Sequence, residues 1–427
     1  MIDSSKNFLK VFVDDLAIGM YVSKLDRPWI GTPFLFQGFR LESPEQIAEL
    51  RKHCEFVFVD REKSVIKNVR SSFVASSNPG PSVTTSTSVC ALPTDPEFGH
   101  HMKYALRIHA NAKSFIEKIM QDAQVGKEVD VQEAKSLVKD LTKNIIANPM
   151  ALIWLTQLKN RDEYTSIHSL NVCILALYFG RSLGMNTHQL NELGLGALLH
   201  DIGKLRVPLE ILNKPDKLTD EEYEVMKRHT MLGYDLLKNK EGLSRDSLAV
   251  IKNHHERVDG HGYPDGLESF GIDLYSRIVK IVDVYDAVTS KRVYHQDVSP
   301  YHALNCIYSD RNGAFDEKLV QAFLKHMGIY PVGCAIELNT GEIGVVTSIN
   351  EKRHLTPTLL LIMDNKKQLL EQHKYINLAS ECWPDETKRP RIERVIDPED
   401  YQLDITRLFS TEAISVAYND IKMSKQD

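Results

Sequence analysis

A long helical pattern constrains the fold of this chain more than any other feature. From about residue 98, apolar side chains such as Ile108, Phe115 and Ile119 recur at three- and four-residue spacing. Glycines and prolines interrupt the pattern repeatedly up to Pro300, so it predicts a series of helices that pack together as a bundle. Candidate helices cover residues 99–124, 130–147, 150–158, 163–184, 187–202, 219–239, 244–256, 274–291 and 299–308. The sequence therefore predicts a mainly α protein whose helical domain spans residues 98–330.

Two different patterns precede this domain. Strand-like apolar runs at 9–13 and 56–59 enclose a short helix at 45–53, and together they predict a small α+β domain over residues 1–68 with a regulatory role. Residues 69–97 are dominated by serine, threonine and proline and carry almost no charge. That composition cannot bury a core, so it predicts a flexible linker.

The segment after the helical domain changes its period again. Residues 335–346 are typical of a hairpin with an Asn-Thr-Gly turn, and residues 358–363 are typical of another strand. We expect a small β segment from residue 331, followed by a poorly defined tail from 381 to 427.

Composition excludes several classes of protein. The chain has 427 residues, which is enough for two or three domains, and its apolar (42%) and charged (26%) contents are ordinary for a globular protein. The net charge of −6 argues against a partner that is a nucleic-acid polymer. Six cysteines without a CxxC pair are typical of a reducing compartment.

The sequence contains no recognisable export or membrane signal. The N-terminus lacks the apolar core of a secretory signal, and the longest apolar stretch, Val172–Phe179, is far shorter than a membrane span. We therefore expect a cytoplasmic protein without a membrane partner.

Histidines and aspartates recur where the predicted helices meet. Imidazole and carboxylate together suit a first-row transition metal, whereas magnesium or calcium would prefer oxygen alone. Seven such ligands exceed the need of one ion, so the number points to two metals that share a carboxylate, an arrangement that hydrolyses phosphate esters. The candidate ligands are His168, His200, Asp201, His229, His254, His255 and Asp283.

The His200-Asp201 dyad has a special place in this set. Asp201 has two oxygens and can bridge two ions. Lys204 follows three residues later, on the same side of a helical turn, and could neutralise a phosphate oxygen there. Asp283 lies in an otherwise apolar helix, where a carboxylate needs a compensating partner and a metal would supply one.

Three segments of the sequence resemble the HD-GYP family, a branch of the HD superfamily of metal-dependent phosphohydrolases. The similarity covers residues 150–330, and the opening segment from Val13 to Val22 resembles an uncharacterised domain often found before HD-GYP domains. The segments are His200-Asp201-Ile202-Gly203-Lys204, His229-x-x-x-Gly233, and the run from His254 to Pro264 that contains Gly262-Tyr263-Pro264.

The resemblance implies an activity and a role for each matching residue. It implies metal ligation by the seven candidates, phosphate contacts from Lys204 and Arg292, and catalytic roles for Asp201 and Lys204 in the hydrolysis of cyclic di-GMP or 3′,3′-cyclic GMP-AMP to the linear dinucleotide and on to the mononucleotide. Members with a third metal use a glutamate one turn before the first histidine. Tyr164 stands there in this chain, next to Glu163, so we expect two divalent transition metals, with iron or manganese as the expected pair.

Two other functions are compatible with the sequence. One is an HD-type phosphohydrolase of mononucleotides, and the other is a non-enzymatic module that binds a nucleotide and signals. The loop around Tyr263-Pro264 could also present a surface to a partner such as a diguanylate cyclase-type protein, and a homodimer is compatible with the sequence.

Overall fold

A computed structural model gives the architecture of most of the chain. The chain divides into two compact units, residues 1–89 and 90–427. The predicted linker lies outside the described residues up to residue 95, so the predicted domain boundaries stay predictions. The structure describes residues 8–26, 39–41, 43–60, 64, 96–124, 129–157, 164–214, 216–290, 299–350, 353, 355–380 and 389–404.

The first unit is a small antiparallel sheet with one helix. Its elements are β1 (Phe8–Phe12), β2 (Tyr21–Leu25), β3 (Phe39–Arg40), α1 (Pro44–His53) and β4 (Phe56–Asp60). The strand order is β1-β4-β2-β3. Alternate residues such as Val11, Val57 and Val59 are buried, as expected for strands with one face on a core. A capping box formed by Ser43 and Gln46 starts α1.

The second unit is built on helices. They are α2 (Pro96–Gln124), α3 (Val131–Ala147), α4 (Pro149–Leu155), α5 (Tyr164–Ser182), α6 (Thr187–Leu199), α7 (Leu209–Leu212), α8 (Asp220–Lys227), α9 (His229–Leu237), α10 (Arg245–Asn253), α11 (Leu274–Thr289), α12 (Pro300–Ser309) and α13 (Glu317–Met327). Helix α5 is buried on every side from Ile167 to Gly180 and packs against α2, α3, α6 and α11. It is the central helix of the bundle, as its nearly continuous apolar sequence requires.

Three features of the bundle differ from the sequence analysis, and the first is the short helix α7, which is not among the predicted helices. The predicted helix 219–239 is two helices, because α8 ends before Arg228 and α9 begins at His229. Helix α13 is not among the predicted helices, although Leu319, Phe323 and Met327 form a buried apolar face at helical spacing.

A five-stranded antiparallel sheet follows α13. Its strands are β5 (Ala335–Leu338), β6 (Ile343–Ser348), β7 (Thr358–Met363), β8 (Leu369–Asn377) and β9 (Ile392–Val395), in the order β8-β7-β6-β5-β9. The first three strands match the predicted ones. Strand β9 lies in the predicted tail and pairs with β5, with Val395 opposite Ile336. The protein is thus mainly α with small β segments at both ends, as predicted.

Among the described residues, the structure contains no helix that combines the length and the apolar character needed to cross a membrane.

Candidate metal centre

The seven predicted metal ligands converge from five segments of the helical unit. They form two adjoining groups, within each of which the ligand atoms lie no more than 4.8 Å apart. The first ligand group, His168, His200 and Asp283, comes from α5, the end of α6 and α11. The second ligand group, Asp201, His229, His254 and His255, comes from the residue after His200, the start of α9 and the end of α10.

Asp201 lies between the two groups and turns one carboxylate oxygen toward each. Its Oδ2 is 3.4 Å from His200 Nε2 and 3.9 Å from His168 Nε2. Its Oδ1 is 3.4 Å from His229 Nε2 and 3.8 Å from His254 Nε2. This is the geometry of a carboxylate that can bridge two cations.

The second carboxylate, that of Asp283, has its nearest contacts in the first group. Asp283 Oδ1 lies 3.0 Å from His168 Nε2 and 3.9 Å from His200 Nε2. Three ligand atoms of this group therefore surround one point on the side of Asp201 Oδ2.

Backbone carbonyls fix the orientation of three of the rings. The Nδ1 atom of His200 donates to Ala197 O (2.7 Å), and that of His229 donates to Met226 O (2.8 Å). His254 Nδ1 lies 3.1 Å from Val250 O in the same way. A neutral imidazole that donates from Nδ1 keeps a lone pair on Nε2, so each of these rings offers Nε2 as a ligand.

The arrangement of the Nε2 atoms suits a bound cation. His229 Nε2 and His254 Nε2 face each other at 3.4 Å, with both lone pairs directed into the same space. Neither His200 Nε2 nor Asp201 Oδ1 has a hydrogen-bond partner among the described residues, although both are buried. Buried polar atoms without partners are costly, and bound metal ions would satisfy all four. The residues present therefore fit a pair of metal ions.

His168 is held by a carboxylate instead of a carbonyl. Its Nδ1 lies 2.8 Å from Asp286 Oδ2, and Asn171 Nδ2 donates to Asp286 Oδ1 at 3.1 Å. Asp286 is only 1% exposed, so it is not a surface charge. Metal-binding histidines usually donate their second ring nitrogen to such a group, which raises their strength as ligands.

Burial keeps the second group's imidazoles neutral. It lowers the pKa of His254 well below the usual value, and the neighbouring His255 ring lowers it further. Burial also lowers the pKa values of His255 and His229, although Asp283 and Asp201, respectively, oppose the shifts. Neutral imidazole is the form that binds metal.

The carboxylates stay charged for the opposite reason. Burial alone would raise the pKa of Asp201, but the charges of Lys204 and His200 outweigh it and hold that pKa well below its ordinary range. The pKa of Asp283 is lowered against the same effect of burial, through its hydrogen bond and charge interaction with His168. Burial likewise opposes protonation of His168, yet Asp283 and Asp286 raise its pKa well above the usual value.

A contact between two backbones joins the segments that carry the groups. The 3₁₀ turn Ile202–Arg206, directly after the dyad, packs on α9. A Cβ atom at Gly203 would overlap the backbones of His229 and Gly233. Glycine at this position therefore lets the dyad approach His229, which explains why the sequence motifs contain both glycines.

The loop of residues 256–267, here called the GYP loop, covers the second group. Glu256 is 1% exposed and accepts hydrogen bonds from the backbone N–H groups of Asp265 (2.7 Å), Gly266 (3.1 Å) and Leu267 (3.0 Å). The Tyr263 ring stacks on the His255 ring, with centroids 4.7 Å apart. Glu256 thus closes the loop upon itself and Tyr263 connects it to a metal ligand.

Of the two predicted phosphate-binding residues, Lys204 lies within the described residues and Arg292 does not. Lys204 Nζ lies 2.6 Å from Asp201 Oδ2, so its ammonium group is at the centre. Arg292 and Glu163 lie outside the described residues, and α5 begins at Tyr164. The predicted role of Arg292 and the predicted absence of a third metal stay predictions.

From the sequence alone, Asp286 could be a support for a metal ligand or a surface charge, and neither Glu256 nor Tyr263 was identified as a support. Asp286 contacts a residue of a distant helix, whereas the contacts of Glu256 and Tyr263 depend on how the GYP loop folds back on itself. The sole signal for Asp286 was its position three residues after Asp283 on an apolar helix, which puts both carboxylates on one face.

Three families match successive parts of the chain. An HD domain matches residues 141–319, a domain of unknown function (DUF3391) matches residues 9–134, and a KOW domain associated with HD domain matches residues 335–404. The fold and the ligand pattern therefore define an HD-domain protein, a class whose phosphohydrolases are metal-dependent.

Curated relatives narrow this class. A cyclic di-GMP phosphodiesterase of Pseudomonas aeruginosa is 33% identical over 87% of this chain and 89% of its own length. The cyclic di-GMP phosphodiesterase response regulator RpfG of Xanthomonas campestris pv. campestris is 39% identical over 39% of this chain and 44% of its own length. The 3′3′-cGAMP-specific phosphodiesterase 1 of Vibrio cholerae is 35% identical over 42% of each. The chain spans most of the first relative and less than half of the other two, and it belongs to the HD-GYP family.

Proposed function

We propose that the protein is a metal-dependent phosphodiesterase that hydrolyses a cyclic dinucleotide, cyclic di-GMP or 3′,3′-cyclic GMP-AMP, to the linear dinucleotide and on to the mononucleotide. The observation that carries the proposal is Asp201, whose two oxygens face two separate groups of histidines. The activities named for its relatives support both candidate substrates.

The proposed cofactor is a pair of divalent transition metals, with iron or manganese expected. Five imidazoles and two carboxylates form a mixed set that suits such ions. When bound, the pair would polarise the phosphate and lower the pKa of a nucleophilic water. Elemental analysis of protein purified without oxygen should give two ions per chain, whereas a third ion coordinated by Glu163 would contradict the argument from Tyr164.

The chain's own residues would orient and stabilise the reacting phosphate. Asp201 would contribute one carboxylate oxygen to each ligand group and so fix the distance between the two groups. The Lys204 ammonium group, 2.6 Å from Asp201, is placed to neutralise negative charge that develops on phosphate oxygens in the transition state. We propose the same task for the Arg292 guanidinium group.

Hydrolysis assays with counted metals test this function. Cyclic di-GMP, 3′,3′-cyclic GMP-AMP and GTP would be offered separately to wild type and to Asp201→Asn. Asp235→Asn is a matched control, because Asp235 makes an exposed pair with Lys238 of the kind that surface aspartates often make. We expect a linear dinucleotide from wild type and from the control, and none from Asp201→Asn.

The same assays decide between the other two functions. Preferential hydrolysis of GTP would favour a mononucleotide phosphohydrolase. Tight binding of a cyclic dinucleotide by the metal-loaded protein without any product would favour a signalling module.

We also propose that the GYP loop presents a surface to a diguanylate cyclase-type protein. Phe270, just after the loop, is fully exposed and offers an apolar contact to such a partner. Binding of a purified diguanylate cyclase domain should weaken in Phe270→Asp, and equal binding would contradict the proposal. A homodimer stays a prediction, which sedimentation of the purified protein tests.

A further inference from the structure

The five histidines of the centre are not anchored alike. Four of them engage Nδ1 in a hydrogen bond: His200, His229 and His254 with backbone carbonyls, and His168 with Asp286. The structure gives no such bond for the ring of His255 within the described residues. Its backbone is fixed, because it follows His254, the C-terminal cap of α10, and its carbonyl lies 3.4 Å from Lys280 Nζ.

The ring of His255 is instead held by other rings. It stacks on Tyr263, with centroids 4.7 Å apart and planes inclined by 21°. The imidazoles of His254 and His229 also contact it, at centroid distances of 4.2 and 5.1 Å and interplanar angles of 47° and 87°, so among the described residues Tyr263 supplies its stacked face. Tyr263 also meets the edge of His229, at 6.3 Å and 81°. One tyrosine therefore contacts two imidazoles of the second ligand group.

We propose that Tyr263 is a positioning residue that fixes the His255 imidazole for metal binding, in the place of the hydrogen bond that orients each of the other four. This inference rests on the proposed metal-dependent function and assigns the tyrosine of the GYP loop a specific task. A stacked face disfavours rotation of the imidazole about its Cβ–Cγ bond and leaves both ring nitrogens unblocked.

The GYP loop is rigid enough to hold Tyr263 in place. Glu256, directly after His255, binds three backbone N–H groups at the far end of the loop. At Gly262, the residue before Tyr263, a Cβ atom would overlap the backbones of Glu256 and Arg257. The chain on either side of Tyr263 is therefore packed against the start of its own loop.

A second set of contacts fastens the loop to the rest of the helical unit. Arg257 makes two hydrogen bonds to Asp259, at 3.0 and 2.6 Å. The Asp259 N–H donates to Gly313 O at 3.1 Å, in the connection between α12 and α13. Tyr263 therefore lies on a loop whose position is fixed by contacts within the protein and not by a metal.

The inference predicts an effect on one ligand group. His255 belongs to the second group, whereas the first group is oriented by Asp286 and by the carbonyl of Ala197. Loss of the stacked ring should therefore weaken one ion and spare the other. A residue that merely stabilised the fold would weaken both ions together.

The test compares Tyr263→Phe with Tyr263→Leu. Phenylalanine keeps the stacked ring and removes the hydroxyl, whereas leucine removes the ring. Tyr223→Leu is the matched control, because Tyr223 is half-exposed and, within the described part of the chain, no ring contact joins it to His255. Each metal-free protein would be titrated with Mn²⁺ and followed by electron paramagnetic resonance, which distinguishes a coupled pair from an isolated ion.

We expect two bound ions with a coupled spectrum in wild type, Tyr263→Phe and Tyr223→Leu. In Tyr263→Leu one ion should bind as in wild type and the second roughly 10–100-fold more weakly, the range for loss of a ligand-supporting group. Two ions of wild-type affinity in Tyr263→Leu would overturn the inference and leave the proposed function intact. If that variant fails to fold, Tyr263→Met decides by the same count, and a wild type without any metal would overturn the proposed function itself.

Discussion

The two ligand groups of the metal centre use the same chemistry on different supports. Two members of the first group, His168 and Asp283, lie within long helices, and a buried carboxylate, Asp286, orients His168. The second group lies at the ends of shorter helices and depends on a loop for His255. All ligands of the first group are buried, whereas His255 is partly exposed. The predicted ligands are therefore not held in place equally well. His255, whose ring is held by stacking and not by a hydrogen bond, is also the more exposed residue.

Asp201→Ala would remove the basis of this comparison, because Asp201 turns one carboxylate oxygen toward each group. We expect hydrolysis to fall at least roughly 1,000-fold, as for other residues that act as part of a unit, and both ions to bind more weakly. The helical circular dichroism signal should survive. Near-full activity in a folded Asp201→Ala protein would contradict the two-metal mechanism.

Gly203→Ala should separate the groups without removing any ligand. The new Cβ atom would overlap the backbones of His229 and Gly233, so the dyad must move away from α9. We expect the free energy of unfolding to drop by about 1–3 kcal/mol, the range for overpacking, and the second ion to be lost. Urea unfolding and metal analysis measure the two effects.

The matched control for this variant is Gly271→Ala. The nearest atoms to a Cβ at Gly271 are those of Leu267, at 3.6 Å, which is an ordinary contact. Equal losses of stability in the two variants would mean that the Gly203 contact is not special.

Asp286→Asn should weaken the first group and spare the second. It removes the negative charge that His168 Nδ1 faces at 2.8 Å. We expect the affinity of one ion to fall about 10–100-fold, the usual effect of a ligand-supporting group, while the other ion binds as before. Tyr263→Leu should weaken the ion of the second group, whereas Asp286→Asn should weaken the ion of the first. Weaker binding of the same ion in both variants would show that the two groups are not independent.

The smallest expected effect concerns the pH dependence of stability and comes from His109, a histidine that is not a predicted metal ligand. It is a histidine of α2 whose buried Nε2 has no hydrogen-bond partner among the described residues and which belongs to neither group. Burial, with a smaller contribution from Lys113, lowers the pKa of His109 from 6.5 to about 4. The unfolded chain therefore takes up this proton first, and stability should decrease as the pH falls from about 6.5 to about 4.

The size of this effect follows from proton linkage. Between those pH values the slope should be on the order of 1 kcal/mol per pH unit. Urea unfolding of metal-free wild type and His109→Gln, at about pH 7 and about pH 5, isolates the contribution as a difference. An equal pH dependence in both proteins would mean that His109 is not buried as a neutral ring.

The residues of the two groups could be identified from the sequence because their signals are local. The dyad His200-Asp201 and the pair His254-His255 are adjacent residues, and Gly203 of the HD motif lies three positions after His200. The helices and the strand Thr358–Met363 likewise follow from periodic runs. Each of these predictions needs only a few neighbouring residues.

The side-chain support of His168 could not be predicted, because it depends on a contact between distant segments. His168 and Asp286 are 118 positions apart, and nothing local to either one names the other. The same holds for β9, a strand of four residues that is defined by its pairing with β5 and not by an apolar alternation of its own. The sequence pattern also does not predict that the helix divides at Arg228, because the backbone of Arg228 stays close to helical (φ −63°, ψ −15°).

The pairing of Lys204 with Asp201 would make metal loading and substrate affinity linked equilibria. The ammonium group lies 2.6 Å from Oδ2, the oxygen that faces the first ligand group. A divalent cation held by the first ligand group would repel the ammonium group, since like charges this close raise each other's energy. Binding of the ion would then make the positive charge of Lys204 available to a phosphate. By reciprocity, a phosphate that held Lys204 away from Asp201 would strengthen the binding of that ion.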